Sequence, residues 1–393
     1  MLRREEKQTR MKRLGKAGYP MEQKIWGKTK AGEDIIVYSL QEKSGSLRAA
    51  VMNYGATLLS VVVTDKNGRE KDVVLGHETA ADYFDSPTYY GMTVARCANR
   101  IGGAQFSLNK KTYHTDKNDG NNTNHSGFDP LCRRVWQTCE TGEDMVAFSY
   151  DSPDGDMGFP GNMHIDVTYT LKDGAIIVDY HAKSDADTIF NPTNHSYYNL
   201  KGHGEGDILD HSMIIYADEM TYANEESVPD GTIRSVAGTP FDFREEKKIG
   251  LEIDADYDMT KFGRGYDHNY ILRKDTDAAS EKFGIYGARV TDDSSEGAVR
   301  NAGECLSHAA TLIAPDRSVT LDVYTDLPGV QIYTGNYIAD GSAGKNGKKY
   351  VRRGGVAIET QYYPNAMNIP AFVQPVIKAD EDFYSRSVYL FSI

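Results

Sequence analysis

The sequence contains no apolar run near the ~18 residues that a membrane-spanning helix requires, which removes integral helical membrane proteins from consideration. Cysteine is scarce: Cys97, Cys132, Cys139 and Cys305 are the only four in 393 residues, with no C-x-x-C spacing. That excludes a disulfide scaffold and makes a cysteine-built metal site improbable, so reduced thiols in a cytoplasmic protein are expected. Positive charge is in deficit, with 44 Lys and Arg against 57 Asp and Glu and a formal charge of −13. Such a surface argues against nucleic acid and against anionic membranes as partners, although a local Arg/Lys pocket for a phosphorylated substrate is compatible with it. Several motifs are missing too: the phosphate-binding G-x-x-x-x-G-K-[ST] loop, the G-x-S-x-G elbow and the zinc-binding H-E-x-x-H helix.

One segment departs from the acidic balance. In residues 1–20, Arg3, Arg4, Lys7, Arg10, Lys12, Arg13 and Lys16 face only Glu5 and Glu6. There is no apolar core segment, so this is not a secretory signal. A disordered tail is expected, or translation from Met11 or Met21; a weak electrostatic tether is the rival reading. Residues 21–393 read as one domain, because no change of composition marks a linker. Residues 275–304, polar and rich in small side chains, read as an excursion from it.

What the sequence has in abundance is period-two alternation. Met163, Ile165, Val167, Tyr169 and Leu171 alternate with polar residues. After Lys172-Asp173-Gly174 the pattern resumes at Ile176, Val178, Tyr180 and Ala182, which is a β-hairpin with its turn signal. Val319, Leu321 and Val323 share a face of a further strand, and residues 58–68 read as a more buried strand ending at Asn67-Gly68. Helical periodicity is confined to two short candidates, residues 77–86 and 244–253. The fold class is therefore mostly β, in stacked antiparallel sheets forming one large sandwich.

Ten histidines mean that single ones carry little information. His77, His114, His164, His181, His203, His211 and His308 lack a chemically suggestive setting and read as surface or packing residues. His195 differs, because it sits in "NPTNHSYYNLKG", a run of small polar residues and tyrosines that looks built to aim it. Three further stretches have the same character. The first is "RCANRIGGAQFSLNKKTYH" leading to "NDGNNTNHSGFDPL", the second "GRGYDHNYIL", and the third "LPGVQIYTGNY" followed by "GGVAIETQYYPNAMN". In the last of these, Val356 and Ile358 alternate with Glu359, so Glu359 points away from the apolar face. It is either an exposed strand glutamate or a carboxylate in a polar cleft. His125 and His195 could both ligate a metal, but nothing specifies a third ligand.

Together and in this order, these stretches resemble the aldose 1-epimerase (galactose mutarotase) family over roughly residues 22–393. "WGKTKAGEDIIVYSL", "VMNYGATLLSVVVTDKNG" and "SPDGDMGFPGN" belong to the same likeness. The resemblance implies a galactose mutarotase-like β-supersandwich with an open cleft for a pyranose. It implies His195 as general acid and Glu359 as general base, with Asn99, Arg100, His125, Asp267 and Gln331 binding sugar hydroxyls. Three positions depart from the family's habit. Asn124-His125-Ser126-Gly127 stands where Leu-His-Gly-Gly is usual, Ala95 where glycine is common, and Asn365 where aspartate is common.

The implied reaction suits these residue types. Exchanging α and β anomers requires a proton to leave the C1 hydroxyl and another to reach the ring oxygen. The ring then opens, the aldehyde rotates, and closure reverses both transfers. A base and an acid suffice, expected on opposite sides of the hemiacetal carbon, with no metal, cofactor or covalent intermediate. A histidine with an ordinary pKa of about 6.5 and a glutamate near 4.3 are matched to that work. The partner implied is a monosaccharide such as galactose or glucose, and monomer and homodimer are both compatible with the sequence. Three rival readings remain. One is an epimerase of a phosphorylated hexose using Arg273, Lys274, Lys282, Arg289 and Arg300. The second is a glycosidase using Asp267 with Glu359, and the third a non-catalytic sugar-binding protein on the same fold.

Overall fold

The computed structural model of the chain describes residues 22–274, 278–284 and 305–393. The basic segment 1–20 lies outside the described residues, as does most of 275–304. The hairpin read from alternation is present as Met163–Lys172 and Ala175–Ser184, with Lys172 opposite Ala175. Its two-residue turn puts Asp173 at φ 52° and Gly174 at φ 81°. Both central residues of a type I′ turn need positive φ, which is what Asp-Gly supplies.

That hairpin lies within a nine-stranded antiparallel sheet whose central strands include Asp382–Ser392, Thr320–Thr325 and Ser307–Ile313. A six-stranded sheet runs in the order 197–198, 356–361, 329–333, 267–271, 219–223 and 229–235, and a five-stranded sheet covers 23–72. The two larger sheets share one apolar core. Ile165, Val167, Ile176, Val178, Leu321 and Val323 from the first meet Val330, Ile332, Val356 and Ile358 from the second. This is sheet-on-sheet packing with inner faces interdigitated. Helix is confined to short pieces, Asp258–Gly263 and Ala278–Phe283 among the described residues. The second helix buries Ala279 and Phe283 beside Ile177 and Val388 of the large sheet.

Both short helices expected from periodicity are corrected. Residues 77–86 contain only a 3-10 turn, Ala80–Tyr83. Residues 244–253 contain a strand pair at Lys247–Lys248 followed by a 3-10 turn, Ile249–Leu251. Pairing with Ser212 and Met213 extends the chain there. A Cβ at Gly250 would approach the Leu209 carbonyl oxygen to 2.8 Å, so the backbone is pressed against its neighbour and cannot coil freely.

One buried cation ties two of the sequence stretches together. Arg96 is fully buried. Its guanidinium donates to the Ser152 Oγ (3.0 Å) and to the carbonyl oxygens of Ser152 (2.8 Å), Pro160 (2.9 Å) and Gly161 (2.7 Å). The fork thus gathers the 152–161 loop around the segment that leads to Asn99 and Arg100. Burial pushes the Arg96 pKa down to about 10, which leaves it charged at neutral pH. Replacing it with Met is expected to cost about 3 kcal/mol or more, because several buried carbonyls lose their donor at once. Urea unfolding would measure this. Lys, with a single ammonium in place of the planar fork, should recover less than half the loss.

Candidate active site

The six-stranded sheet has two buried faces, and this decides where the chemistry sits. Along Val356–Gln361 every residue is buried. Val356 and Ile358 face the apolar core, so Glu359 projects from the opposite face and is only 2% exposed. It is therefore a cleft residue, not an exposed strand glutamate. Register carries its neighbours to the same face: Gln331 is opposite Glu359, and Asn269 is opposite Gln331. Two residues along, Tyr333 is opposite both Ala357 and Asp267. The Gln331 amide donates to the Asp267 Oδ1 at 2.7 Å.

Loops from elsewhere in the chain face this surface. His195 is held through its backbone, its N–H donating to the Met92 carbonyl (2.9 Å) and its carbonyl accepting from the Gly91 N–H (3.0 Å). Gly91 has φ 68°, and a Cβ there would come within 1.9 Å of the Leu58 oxygen, so only glycine fits. The clamp brings the imidazole Nε2 to 3.6 Å from the Glu359 Oε1. The two side chains thus stand side by side in the cleft.

Asn99 and His125 interlock. The Asn99 N–H donates to the His125 Nδ1 (3.2 Å), and the His125 N–H donates to the Asn99 carbonyl (3.1 Å). Since Nδ1 accepts, neutral His125 carries its proton on Nε2 and is a hydrogen-bond donor. The side-chain donors of His125, His195 and Glu359 all lie within 4.8 Å of one another, a set that could surround a cation. The tautomer that the Asn99 N–H imposes on His125 suits a sugar oxygen better than a metal ion. The Asn99 side chain turns back to accept from the Arg100 N–H at 2.8 Å, and the Arg100 Nε pairs with Asp119 at 2.8 Å.

The departures from the family's habit have local explanations. Ser126, at φ 70°, uses its hydroxyl to accept from the Cys97 N–H (2.8 Å) and donate to the Cys97 carbonyl (3.0 Å). Asn365 accepts from the Gly102 N–H (2.9 Å) and donates to the Pro229 carbonyl (3.0 Å), a donation that an aspartate carboxylate could not make. Ala95 is wholly buried in the core.

The cleft has a volume of about 380 Å³. Asn99, Arg100, His125, His195, Asp267 and Glu359 all line it, while Gln331 stands behind Asp267. Sequence reasoning missed Tyr89, Asp119 and Tyr337 in its wall. Tyr89 holds φ 54°, packs its ring 4.8 Å from His125 and 5.8 Å from His195, and carries the Arg133 guanidinium 5.6 Å from its centre. Its only sequence signal is a bulky residue two positions before Gly91. Arg273, Lys274 and Lys282 do not line the cleft; Arg273 pairs with Asp218, and Lys282 donates to the Asp173 carbonyl. Arg289 and Arg300 lie outside the described residues.

Burial dominates the electrostatics. It pushes His195 down to about 4 and His125 well below the usual imidazole value, the latter helped by His195 and Arg100. It raises Glu359 well above the usual carboxyl range, with Asp267 adding to the rise and Arg100 opposing it. Asp267 is raised by burial too, against the pull of Arg100 and Gln331. Each buried charge is disfavoured, so burial biases the His195–Glu359 pair towards a neutral imidazole and a protonated carboxyl.

The sequence model of the aldose 1-epimerase family matches residues 37–390. Galactose mutarotase of Rattus norvegicus is 35% identical over 357 residues, covering 91% of this chain and 94% of the relative. Aldose 1-epimerase of Escherichia coli K12 is 31% identical over 363 residues, covering 92% and 96%. Among solved structures, an aldose epimerase homologue from C. elegans superposes with a TM-score of 0.76 at 28% identity, covering 90% of this chain and 98% of that one. A galactose 1-epimerase from Lactobacillus acidophilus gives 0.75 at 25% identity, covering 95% and 99%. The fold is thus that of the galactose mutarotases, and the chain belongs to the aldose 1-epimerase family of isomerases.

Proposed function

We propose that the cleft interconverts the α and β anomers of free aldohexoses such as galactose and glucose, with Glu359 as base and His195 as acid. The observation that carries this reading is the 3.6 Å contact between His195 Nε2 and Glu359 Oε1 at the floor of a polar cleft. Glu359 takes the proton of the C1 hydroxyl while His195 gives its Nε2 proton to the ring oxygen. The bond between C1 and the ring oxygen breaks, leaving an open-chain aldehyde. Rotation about the bond between C1 and C2 presents the other face, and closure returns both protons. Arg100, Asn99, His125, Asp267 and Gln331 hold and orient the sugar hydroxyls, directly or through one another.

A single shared proton explains how a buried pair can do this. The neutral state and the imidazolium–carboxylate state differ only in where that proton sits. A sugar hydroxyl donating to Glu359 stabilises the carboxylate and moves the proton to His195. The enzyme thus takes its active form when substrate arrives. A phosphorylated substrate is less well served, because Arg100 is the one Lys or Arg lining the cleft among the described residues. Residues 21–393 act as one catalytic domain in this reading. Free thiols at Cys97, Cys132 and Cys139 fit a cytoplasmic enzyme.

Polarimetry on freshly dissolved α-galactose and α-glucose tests the pair. Wild type should accelerate the approach to rotational equilibrium, and His195→Gln and Glu359→Gln should each lose about 10²–10⁴-fold. Acceleration that survives either substitution would remove that residue from the mechanism.

The pH dependence follows from the proton count. Below the free-enzyme pKa of His195, about 4, a second proton binds and no base remains. The acid limb of kcat/KM should therefore centre near pH 4, and the His195 ring proton should titrate there by NMR. A limb and a titration both centred at the ordinary histidine value of about 6.5 would show that His195 is hydrated in the free enzyme.

A further inference from the structure

Behind the cleft, the sheet face that carries Glu359 continues as a row of buried amides. Gln331, Asn269 and Gln361 are 3%, 2% and 0% exposed. Gln331 lies between Glu359 and Asn269 across the strands, and Gln361 is two residues along from Glu359 on the same face. Opposite Gln361 stands Gly329, and a Cβ there would come within 2.8 Å of the Asn269 Oδ1 and 3.0 Å of the Tyr363 ring. The glycine therefore leaves the space over which Asn269 leans towards Gln361, with Tyr363 as its cover.

Six atoms in this row have no hydrogen-bond partner among the described residues: Glu359 Oε2, Gln331 Oε1, and both amide atoms of Asn269 and of Gln361. Leaving so many buried polar atoms unpaired would consume a free energy on the scale of a domain's entire net stability. Asn269 and Gln361 lie on strands separated by the Gly329–Tyr333 strand, and the register leaves their amide atoms unpaired. A small molecule that donates and accepts equally would satisfy such a row.

We propose that Asn269, Gln331 and Gln361 bind a chain of ordered water molecules ending on the Glu359 Oε2, and that Asn269 and Gln361 are positioning residues for the base. The last water donates to Oε2, the oxygen turned away from His195, and so favours the carboxylate. Gln361 and Asn269 anchor that water in one orientation. The charged and titratable groups facing Glu359 are His195, His125, Asp267, Arg100 and Tyr197 in and around the cleft, while Tyr389, on the core side of the strand, feels only its charge. Among them only Arg100 and protonated His195 favour a negative Oε2, so the water chain supplies a donor that the side chains do not.

This inference deepens the reading of Glu359 as base, but its first test does not depend on it. A high-resolution crystal structure of the full chain should show at least two ordered waters bridging Glu359 Oε2, Asn269 and Gln361. Direct pairing of the amides with one another and with Oε2, without water between them, would overturn the proposal. The second test uses Gln361→Leu and Asn269→Leu. Each should lower kcat about 10-fold with KM changed less than about twofold, because the anchor acts on the base and not on the hydroxyls. The carboxyl should become still harder to ionise, moving the limb of the kcat profile that reports it up by about one pH unit. Asn269→Gln, which keeps the amide, should restore part of kcat and of the profile. An unchanged kcat and profile in folded leucine variants would reduce the row to a packing device. If the wild type failed to accelerate mutarotation, the functional reading would fall while the water chain could still be confirmed.

Discussion

The strands Gly329–Tyr333 and Val356–Gln361 are hydrogen-bonded in a register that sets Gln331 opposite Glu359 and Ile332 opposite Ile358. Because side chains alternate strictly between faces, a slip of one residue would drive Glu359 into the apolar core and push Ile358 into the cleft. The core forbids that exchange: Val330, Ile332, Val356 and Ile358 are all buried against the larger sheet. Hydrophobic burial on one face therefore fixes the polar chemistry on the other, with no contact needed between the two. Asp267 and Tyr333 follow from the same pairing, because their strands are locked in series.

Burial on both faces brings an electrostatic constraint. A carboxylate surrounded by protein loses its hydration, and in this cleft another carboxyl, Asp267, stands nearby. An imidazolium is disfavoured for the same reason. In the proposed reaction the two groups stand close enough for one proton to serve both. The pair is neutral as a whole whichever group holds the proton, so a change of ionisation during the reaction requires no net charge to enter a dry site. Arg100 balances Asp119, and the Gln331 amide supports Asp267, so the remaining charges are likewise paired or hydrogen-bonded. An unpaired buried charge would be far more costly than any of these.

Much of this was legible in the sequence, and the parts that were not share a cause. Alternation gave the hairpin at 163–184 and the strands around it, because one face of each lies on an apolar core. The histidine in "TNHSYYNL" stood out by its setting, whereas Glu359 was marked by the family resemblance, its alternating strand leaving an exposed position equally open. Alternation alone could not tell a buried polar face from a solvent-exposed one, since both put hydrophilic residues at every second position. Only the tertiary covering of the six-stranded sheet separates them. Tyr89 and Asp119 were missed because loops bring them to the cleft, and loop positions have no period to read. The false helices at 77–86 and 244–253 had helical composition but were claimed by long-range contacts: the Arg133 guanidinium donating to the Ser86 carbonyl, and the strand pairing of Lys247 and Lys248. Local propensity is the weaker term where tertiary contacts compete with it.

The two halves of the proposed acid–base pair come from different kinds of structure, and this suits the tasks proposed for them. Glu359 lies in the middle of a strand flanked on both sides by paired strands, at one end of a row of cross-strand amides. His195 lies in a short irregular segment between the strand pairs at Thr193–Asn194 and Tyr197–Tyr198, clamped through its own N–H and carbonyl. A base whose proton affinity must be set against burial benefits from a rigid frame that fixes every neighbour. An acid that must reach a ring oxygen benefits from a segment whose direction is fixed while its side chain is held by packing against aromatic rings. Tyr89, Tyr197 and Tyr333 provide that packing, with ring centres 5.8, 5.0 and 6.4 Å from the imidazole. The aromatic wall also excludes water from the imidazole, so the same rings that aim His195 lower its proton affinity. Positioning and pKa are thus one structural property here, and a change to either would alter both.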